Sequence, residues 1–365
     1  MTNAQTIWYN REKKIVETVD QRQLPFKCVI FEIRTLEDAR YAIVEMVIRG
    51  APLIGVTAAY GLFLAASALI NDSDFRSKMQ DAASWLKSSR PTAVNLSFAV
   101  DEAISVISDQ FSNAQNIQLL FEYAESLKQR EIEFSKKIGI HGLELIKEIA
   151  RIKSGKPVQI LTHCNAGRLA CVELGTATAP IYLAHESGIP VHVWVDETRP
   201  RNQGARLTAW ELGEAGIQHT IIPDNTGGHI MQHGMVDLVI VGSDRTTMNG
   251  DVANKIGTYL KALAAFDNQI PFYVALPSTT IDWSIHDGIT EIPIEQRDSD
   301  EVSMMEGMLD HDICKFRILP EKSAVANFGF DVTPARLVTG LITERGICKA
   351  TREGIRNLYP EKKQE

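Results

Sequence analysis

From about residue 156 onward, short and almost unbroken apolar runs alternate with longer segments of helical period. PVQILTH is followed by RLACVELGTATAPIYLAHESG, VHVWVDE by RLTAWELGEAG, HTIIPD by NTGGHIMQHG and VDLVIVGSD by NKIGTYLKALAAFDN, and PFYVALP closes the series. Strands that are apolar on both faces, separated by segments long enough to be crossover helices, predict a parallel sheet covered on both sides. The first 150 residues carry a different pattern. Spacings of three and four dominate DARYAIVEMVIRG, NLSFAVDEAISVISDQF and the long stretch from Asn116 to Ile146, with one β-like run, FKCVIFEI, near the start. The fold class expected is α/β, with a small, mostly helical N-terminal domain containing a few strands over residues 1–150. A parallel-sheet domain is expected over 151–365, the two joining near residues 140 to 156. The stretch APLIGVTAAYGLFLAASALI is uncharged and long enough to cross a bilayer. Its richness in Ala and Gly, its early proline and its isolation predict a buried helix packed closely by its neighbours instead.

In an open parallel sheet the ligand crevice lies beyond the carboxyl ends of the strands. The polar residues that close each strand are therefore the first candidates for chemistry: His163 and Cys164, Asp196 and Glu197, Asp224, Asp244, and Ser278 with Thr279. Cys164 stands where a strand stops and a helix is expected to begin, and a helix N-terminus favours a thiolate. The alternative is an inert buried thiol, as Cys171 is expected to be. Zinc held by His163, Cys164 and Cys171 is disfavoured, because adjacent strand residues face opposite ways and the spacing fits no zinc motif. Asp244 ends a very apolar strand, where an unpaired carboxylate is costly. It is either a general acid or a structural group, capping a helix or pairing with Arg245.

Other segments read as anion or ligand contacts. Asn254 and Lys255 follow the Asn249–Gly250–Asp251 turn and stand at the expected start of a helix, where free N–H groups attract an anion. Arg49 in IRGAPLIG precedes the small residues Gly50 and Ala51 at another helix start, and Arg90 in SSRPTAVNL precedes a proline turn. In DETRPRNQGARLTAWEL, Gln203 and Gly204 precede a helix and can present an amide, whereas Arg199, Arg201 and Arg206 are expected to pair with carboxylates such as Asp196 and Glu197. No Walker loop, G-x-G-x-x-G or G-x-S-x-G is present, which removes the main support for nucleotide cofactors and serine hydrolysis.

Composition narrows the class further. Hydrophobic residues make up 44% and charged residues 23% of the 365, as in ordinary globular proteins. A formal charge of −8 argues against a nucleic-acid backbone as partner but leaves room for a local cation cluster around one small anion. The odd, scattered set Cys28, Cys164, Cys171, Cys314 and Cys348 predicts free thiols, and the N-terminal stretch has no apolar core of a secretory signal. A cytoplasmic protein without a membrane partner is expected.

Taken together and in order, IRGAPLIG, RPTAVNL, LTHCNAG, ETRPRNQGARLTAWEL, VGSDRTTMNGDVANKIGTY and GFDVTPARLVTGLITERG resemble the methylthioribose-1-phosphate isomerases. That family is related to the regulatory α, β and δ subunits of translation initiation factor 2B and to ribose-1,5-bisphosphate isomerases. The likeness runs from about Trp8 to Gly346. It implies a Rossmann-like C-terminal domain, a homodimer, and isomerisation of the aldose 5-methylthioribose 1-phosphate to 5-methylthioribulose 1-phosphate in methionine salvage, with no cofactor and no metal. Matched by motif, Cys164 and Asp244 correspond to the catalytic pair, and Arg49, Gly50, Ala51, Arg90, Gln203, Asn254 and Lys255 to the substrate-binding set. A proton transfer through an enediol-like intermediate and a hydride shift both remain open on this basis.

The chain departs from the commoner family wording at Arg168 after NAG, at Ser243, in PDNTGG and in VANFGFDVTP. Arg168 either adds positive charge beside Cys164 or points to solvent. A 5-deoxyribose 1-phosphate isomerase or dual-substrate enzyme would look similar. A bisphosphate isomerase needs a second cationic site, and a non-catalytic regulator has no need of the Cys–Asp pair. The methylthio group wants an apolar wall, for which GVTAAYGLF and Trp194 or Trp210 are the candidates.

Overall fold

The computed structural model describes residues 5–90 and 94–364; Pro91, Thr92 and Ala93 of the RPTAVNL motif lie outside the described residues. The chain opens with an antiparallel meander of β1 (Ile7–Asn10), β2 (Ile15–Val19) and β3 (Ile30–Ile33), with Ile7 opposite Thr18 and Val16 opposite Ile33. Five helices follow: α1 (Leu36–Val44), α2 (Ala51–Ala68), α3 (Phe75–Lys87), α4 (Val94–Ser105) and α5 (Asn113–Lys153). Capping boxes start two of them, Thr35 with Asp38 at α1 and Ser112 with Gln115 at α5, each satisfying backbone donors that a helix start leaves open.

Helix α2 has no polar face, and Ala51 through Ala66 are all buried. Among the described residues it is the one helix long and apolar enough to cross a membrane, and 89% of it is buried inside the fold by α1, α3, α4 and α5. Helix α5 is unbroken over 41 residues. Its first half contributes Leu120, Ala124 and Leu127 to the core around α2, and its second half contributes Ile138, Leu143 and Ile146 to the core beneath the second sheet.

That sheet has seven strands, β4 (Val158–Thr162), β5 (Val191–Asp196), β6 (His219–Ile222), β7 (Leu238–Val241), β10 (Phe272–Ala275), β15 (Gly340–Thr343) and β16 (Gly346–Cys348), in the order β16-β15-β10-β7-β4-β5-β6. All neighbours are parallel except the terminal β15–β16 hairpin. A smaller sheet of β8 (Arg245–Thr247), β9 (Val252–Lys255), β11 (Ile281–Asp282) and β14 (Phe330–Thr333) and a hairpin of β12 (Met304–Leu309) and β13 (Asp312–Arg317) complete the strands.

The helices after the strands are shorter than the sequence pattern suggests. RLACVELGTATAPIYLAHESG forms two, α6 (Arg168–Cys171) and α7 (Ala179–Glu186). Between them Val172, Leu174 and Gly175 all have positive φ, and Thr176 N–H returns to Ala166 C=O at 2.8 Å. The second crossover, from β5 to β6, begins as a π-helical turn, Gly204–Thr208, and continues as α8 (Ala209–Glu214); α9 (Thr226–Gln232) and α10 (Thr258–Asp267) follow β6 and β9.

Gly142 of α5 sits against α7, and a Cβ there would come within 2.4 Å of Pro180 Cγ. Gly142→Leu should cost about 1–3 kcal/mol or more through overpacking, read as a lowered urea midpoint. Gly307→Ala, in the open β12–β13 hairpin where nothing lies within 4 Å, should stay within about 0.5 kcal/mol.

Candidate active site

Strands β4 and β7 are neighbours, with Ile160 opposite Leu238, yet the chain leaves β4 for β5 and β6 on one side before returning to β7 on the other. Loops leaving the two strands part in opposite directions and open a crevice between them. Cys164 lies two residues beyond β4 and Asp244 three beyond β7, and both line one cleft. Arg49, Gly50, Ala51 and Asn254 line it as well.

Arg49 precedes α2 and reaches across to the end of β4. Its Nη1 donates to Asn165 Oδ1 and its Nη2 to Asn165 C=O, both at 2.6 Å, and Nη2 lies 3.7 Å from Cys164 Sγ. Gly50 has φ +95° and packs against the Ala170 backbone, where a Cβ would come within 2.6 Å of Ala170 Cα. Helix α2 begins without a side-chain cap, and Ala51 and Pro52 at its first turn face the cleft.

Helix starts explain less of the site than the sequence suggests. The N–H groups of Arg168 and Leu169 at α6 donate to the buried Glu211 carboxylate at 3.1 and 2.8 Å, so the one-turn helix after Cys164 is already capped by an anion. At α10 the N–H groups of Gly257 and Tyr259 donate to Asp331 at 2.7 and 3.1 Å. Burial pushes the carboxyls of Glu211 and Asp331 up, each opposed by these backbone hydrogen bonds. Asn254 and Lys255 lie in β9 and not at a helix start. The positive field near Cys164 comes instead from side chains.

Lys255 is buried; its Nζ donates to Gly329 C=O at 2.9 Å and lies 4.6 Å from the centroid of the Phe330 ring. Burial pushes its ammonium down, opposed by the nearby Cys164 and Asp244 and reinforced by Arg90 and Arg297. Burial likewise pushes Arg90 down, against the attraction of Glu295, whose Oε2 is 3.7 Å away, and of Asp244. Arg297, held by Glu295 at 2.7 Å and Glu301 at 2.8 Å, is a cation of this cluster that sequence reading missed.

A second space shares Ala51 and Asp244 with the cleft and is walled by Ile54, Ile292, Pro293, Ile294 and Phe330, with Arg90 and Arg245 at its polar side. This is the apolar wall near the site, and neither tryptophan supplies it. Trp194 Nε1 is bonded to Gln159 and to Met235 C=O, and Trp210 carries the Arg168 guanidinium 5.2 Å above its ring. The IPI run at 292–294, an apolar tripeptide in a polar stretch, was the signal available for it.

Several other assignments change. Arg245 lies in β8 with Nη1 3.7 Å from Asp282, so Asp244 neither caps a helix nor depends on that arginine in the way local reading allows. Arg201 pairs with Glu301 and Arg206 with Glu306, carboxylates a hundred residues away, not with Asp196 or Glu197. Arg199 donates to Val302 C=O, while its charge also acts on Glu197, as expected. Asn254 Nδ2 donates to Thr258 Oγ1 at 3.0 Å. Gln203 is buried with Oε1 lacking a hydrogen-bond partner, and neither it nor Lys255 lines either space.

His163 is fully enclosed, with Nδ1 2.8 Å from Asp196 Oδ2 and Nε2 2.8 Å from Ile256 C=O. The ligand atoms of His163, Asp196 and Asp224 lie within 4.8 Å of one another, close enough for a metal. Lys261 Nζ already sits 3.1 Å from Asp196 and donates to Asp224 C=O, so an ammonium supplies the positive charge there. Cys171 also borders the cleft, and burial, then Glu131 and Glu211, push its thiol up, away from reactivity.

The initiation factor 2 subunit family matches residues 47–350 of this chain. A methylthioribose-1-phosphate isomerase of Desulfosudis oleivorans is 55% identical over 358 residues, covering 98% of this chain and 97% of that protein. The crystal structure of 5-methylthioribose 1-phosphate isomerase from Pyrococcus horikoshii superposes with a TM-score of 0.84 at 35% identity, covering 98% of this chain and 96% of the other. The δ subunit of translation initiation factor eIF-2B from A. fulgidus superposes at 0.80 with 36% identity, covering 98% of this chain and all of the other.

Behind Cys171 and Pro277, Glu131 of α5 is buried and accepts from Thr279 Oγ1 at 3.3 Å, and Thr279 in turn accepts from Asn95 Nδ2 at 3.1 Å. Burial pushes its carboxyl from 4.5 up to about 7, opposed by Arg130 and the Thr279 bond. The folded state therefore holds this proton more tightly than the unfolded chain. Its contribution is fully present below pH 4.5 and is lost as pH rises through about 7, a loss of about 3 kcal/mol. Urea unfolding of Glu131→Gln at pH 5 and pH 8 should show a smaller decline in stability than the unsubstituted protein; equal declines would remove the assignment.

Proposed function

The chain belongs to the initiation factor 2 subunit family, and we propose that within it this protein isomerises 5-methylthioribose 1-phosphate to 5-methylthioribulose 1-phosphate in methionine salvage. The observation that carries the reading is the single cleft at the β4–β7 crevice lined by both Cys164 and Asp244, with an apolar recess opening beside Asp244.

The substrate's anomeric carbon is a phosphate ester, so its ring does not open as that of a free aldose does. Ring opening requires a proton on the ring oxygen, and isomerisation then moves hydrogen from C2 to C1. Asp244 delivers a proton to the ring oxygen and recovers one from the C2 hydroxyl as the ketone forms. Cys164, with Arg49 against its sulfur, removes the C2 proton and, after exchange with solvent, delivers a proton to C1 through an enediol-like intermediate. The phosphate is held by Arg49, Asn254 and the Gly50–Ala51 backbone, which line the cleft where α2 starts uncapped, with Arg90 beside it in the adjoining recess. Lys255 and Gln203 line neither space, and Lys255 contributes through its charge. The 5-methylthio group enters the recess of Ile54, Ile292, Pro293, Ile294 and Phe330.

That recess favours an apolar 5-substituent over a charged one. A 5-phosphate there would have to compete with Glu295 for Arg90 and with Asp282 for Arg245, among otherwise apolar neighbours. A regulator with the same fold would need no thiol and carboxyl in one cleft. The five free cysteines fit a reducing, cytoplasmic setting, and a homodimer completes the reading.

The test is kcat/KM for 5-methylthioribose 1-phosphate, 5-deoxyribose 1-phosphate and ribose 1,5-bisphosphate on one preparation. The methylthio sugar should lead, and Cys164→Ser and Asp244→Asn should each lower kcat by about 100-fold or more with the fold retained. Equal use of the deoxy sugar would move the assignment to 5-deoxypentose phosphates generally, and no turnover of any would leave the regulator. In deuterium oxide the product should gain deuterium at C1; its absence would replace proton transfer by a hydride shift.

A further inference from the structure

Strand β4 ends at Thr162, so the peptide groups of Cys164 have no sheet partner although the residue is buried. Buried backbone donors and acceptors need partners. Both come from threonine hydroxyls on other elements. Cys164 N–H donates to Thr198 Oγ1 at 2.8 Å, in the loop after β5, and Cys164 C=O accepts from Thr208 Oγ1 at 2.7 Å, at the end of the π-helical turn. Thr198 and Thr208 are themselves at most 1% exposed.

The single proton of each hydroxyl is already assigned. Thr198 donates to Asp196 C=O at 3.0 Å, which leaves its lone pairs for the Cys164 N–H. Thr208 donates to Cys164 C=O, which leaves its lone pairs for Asn165 Nδ2 at 3.2 Å. The same Nδ2 donates to Glu211 Oε1 at 3.3 Å, so the Asn165 carboxamide turns its oxygen toward Arg49. Every direction in this small network is therefore determined.

Cys164 has φ +66°, in the left-handed region that L-residues other than Asn and Asp seldom occupy, and Thr198 has φ +65°, rarer still for a β-branched residue. Such backbone persists only where surrounding bonds over-determine it, and it clusters at functional sites. In this conformation Sγ lies beside Arg49 and in the cleft shared with Asp244.

We propose that Thr198 and Thr208 are positioning residues for the reaction: their hydroxyls hold the Cys164 backbone left-handed and so aim its thiol at the substrate. Neither lines the cleft itself, and both act through Cys164. The inference rests on the reading of Cys164 as the reacting thiol.

The experiment compares alanine with serine at each position. Both substitutions remove the methyl group, and only alanine removes the hydroxyl. Thr198→Ala and Thr208→Ala should each lower kcat by about 10- to 100-fold, as expected for a catalytic group misplaced by a fraction of an ångström, while KM stays within about threefold. Thr198→Ser and Thr208→Ser should restore kcat to within about threefold of the unsubstituted enzyme. Where an alanine variant does not fold, valine, which keeps the volume and lacks the hydroxyl, takes its place in the comparison. Equal kcat for alanine and serine variants, per folded molecule, overturns the proposal even if both lower Tm. Cys164→Ser, assayed alongside, separates the two readings. If it turns over normally the assignment of Cys164 fails; if it is inactive while the alanine variants work normally, only the clamp fails.

Discussion

Arg49 stands just before a buried helix in one half of the molecule, and both of its terminal nitrogens, Nη1 and Nη2, donate to Asn165 beyond the end of a strand in the other half, at 2.6 Å each. A guanidinium cannot shed its charge at any ordinary pH, so its acceptors must be rigid. Asn165 is rigid because Glu211 and Thr208 hold the other side of its carboxamide. Gly50 then lets the chain pass so close to Ala170 that no side chain fits between them. The cleft is what remains open along this seam, and Cys164 is the residue next to it.

An acidic protein that gathers cations in one place must keep its carboxylates from neutralising them. The structure separates the two by role. Glu211, Asp331 and Asp224 spend their oxygens on backbone N–H groups, capping α6 and α10 and fixing the loop at Thr198 and Arg199. Burial, together with Arg90 and Arg297 for Lys255 and with Arg297 and Arg49 for Arg90, meanwhile pushes both Lys255 and Arg90 down from their usual values. A nearby anion would relieve the repulsion among these cations, and no glycine-rich nucleotide loop is needed for it.

Local reading succeeded where a residue's position depends on where its own strand stops. Cys164 and Asp244 follow apolar runs, and such runs end at the crevice of a parallel sheet. It failed where the partner is distant in sequence. The pattern after Arg168 looks like one long helix, but Ala166 captures the Thr176 N–H and splits it. Trp194 and Trp210 are the obvious apolar groups, yet the wall beside Asp244 is built by Ile292–Ile294 and Phe330. A helix N-terminus behind Cys164 was a reasonable source of positive field until a carboxylate 43 residues from Arg168 occupied it.

What the sequence by itself determined is the alternation of the main parallel strands with crossover segments and the polar residues at those strand ends, because periodicity and chain punctuation are local properties of the backbone. The resemblance of six ordered motifs added the reaction class. Only the tertiary structure decided that β7 returns beside β4, which puts the thiol and the carboxyl in one cleft, and that two threonines from separate loops hold Cys164 in a left-handed conformation. Those outcomes depend on which surfaces bury one another and which distant oxygen reaches an unpaired N–H first, and neither can be read from spacing along a chain.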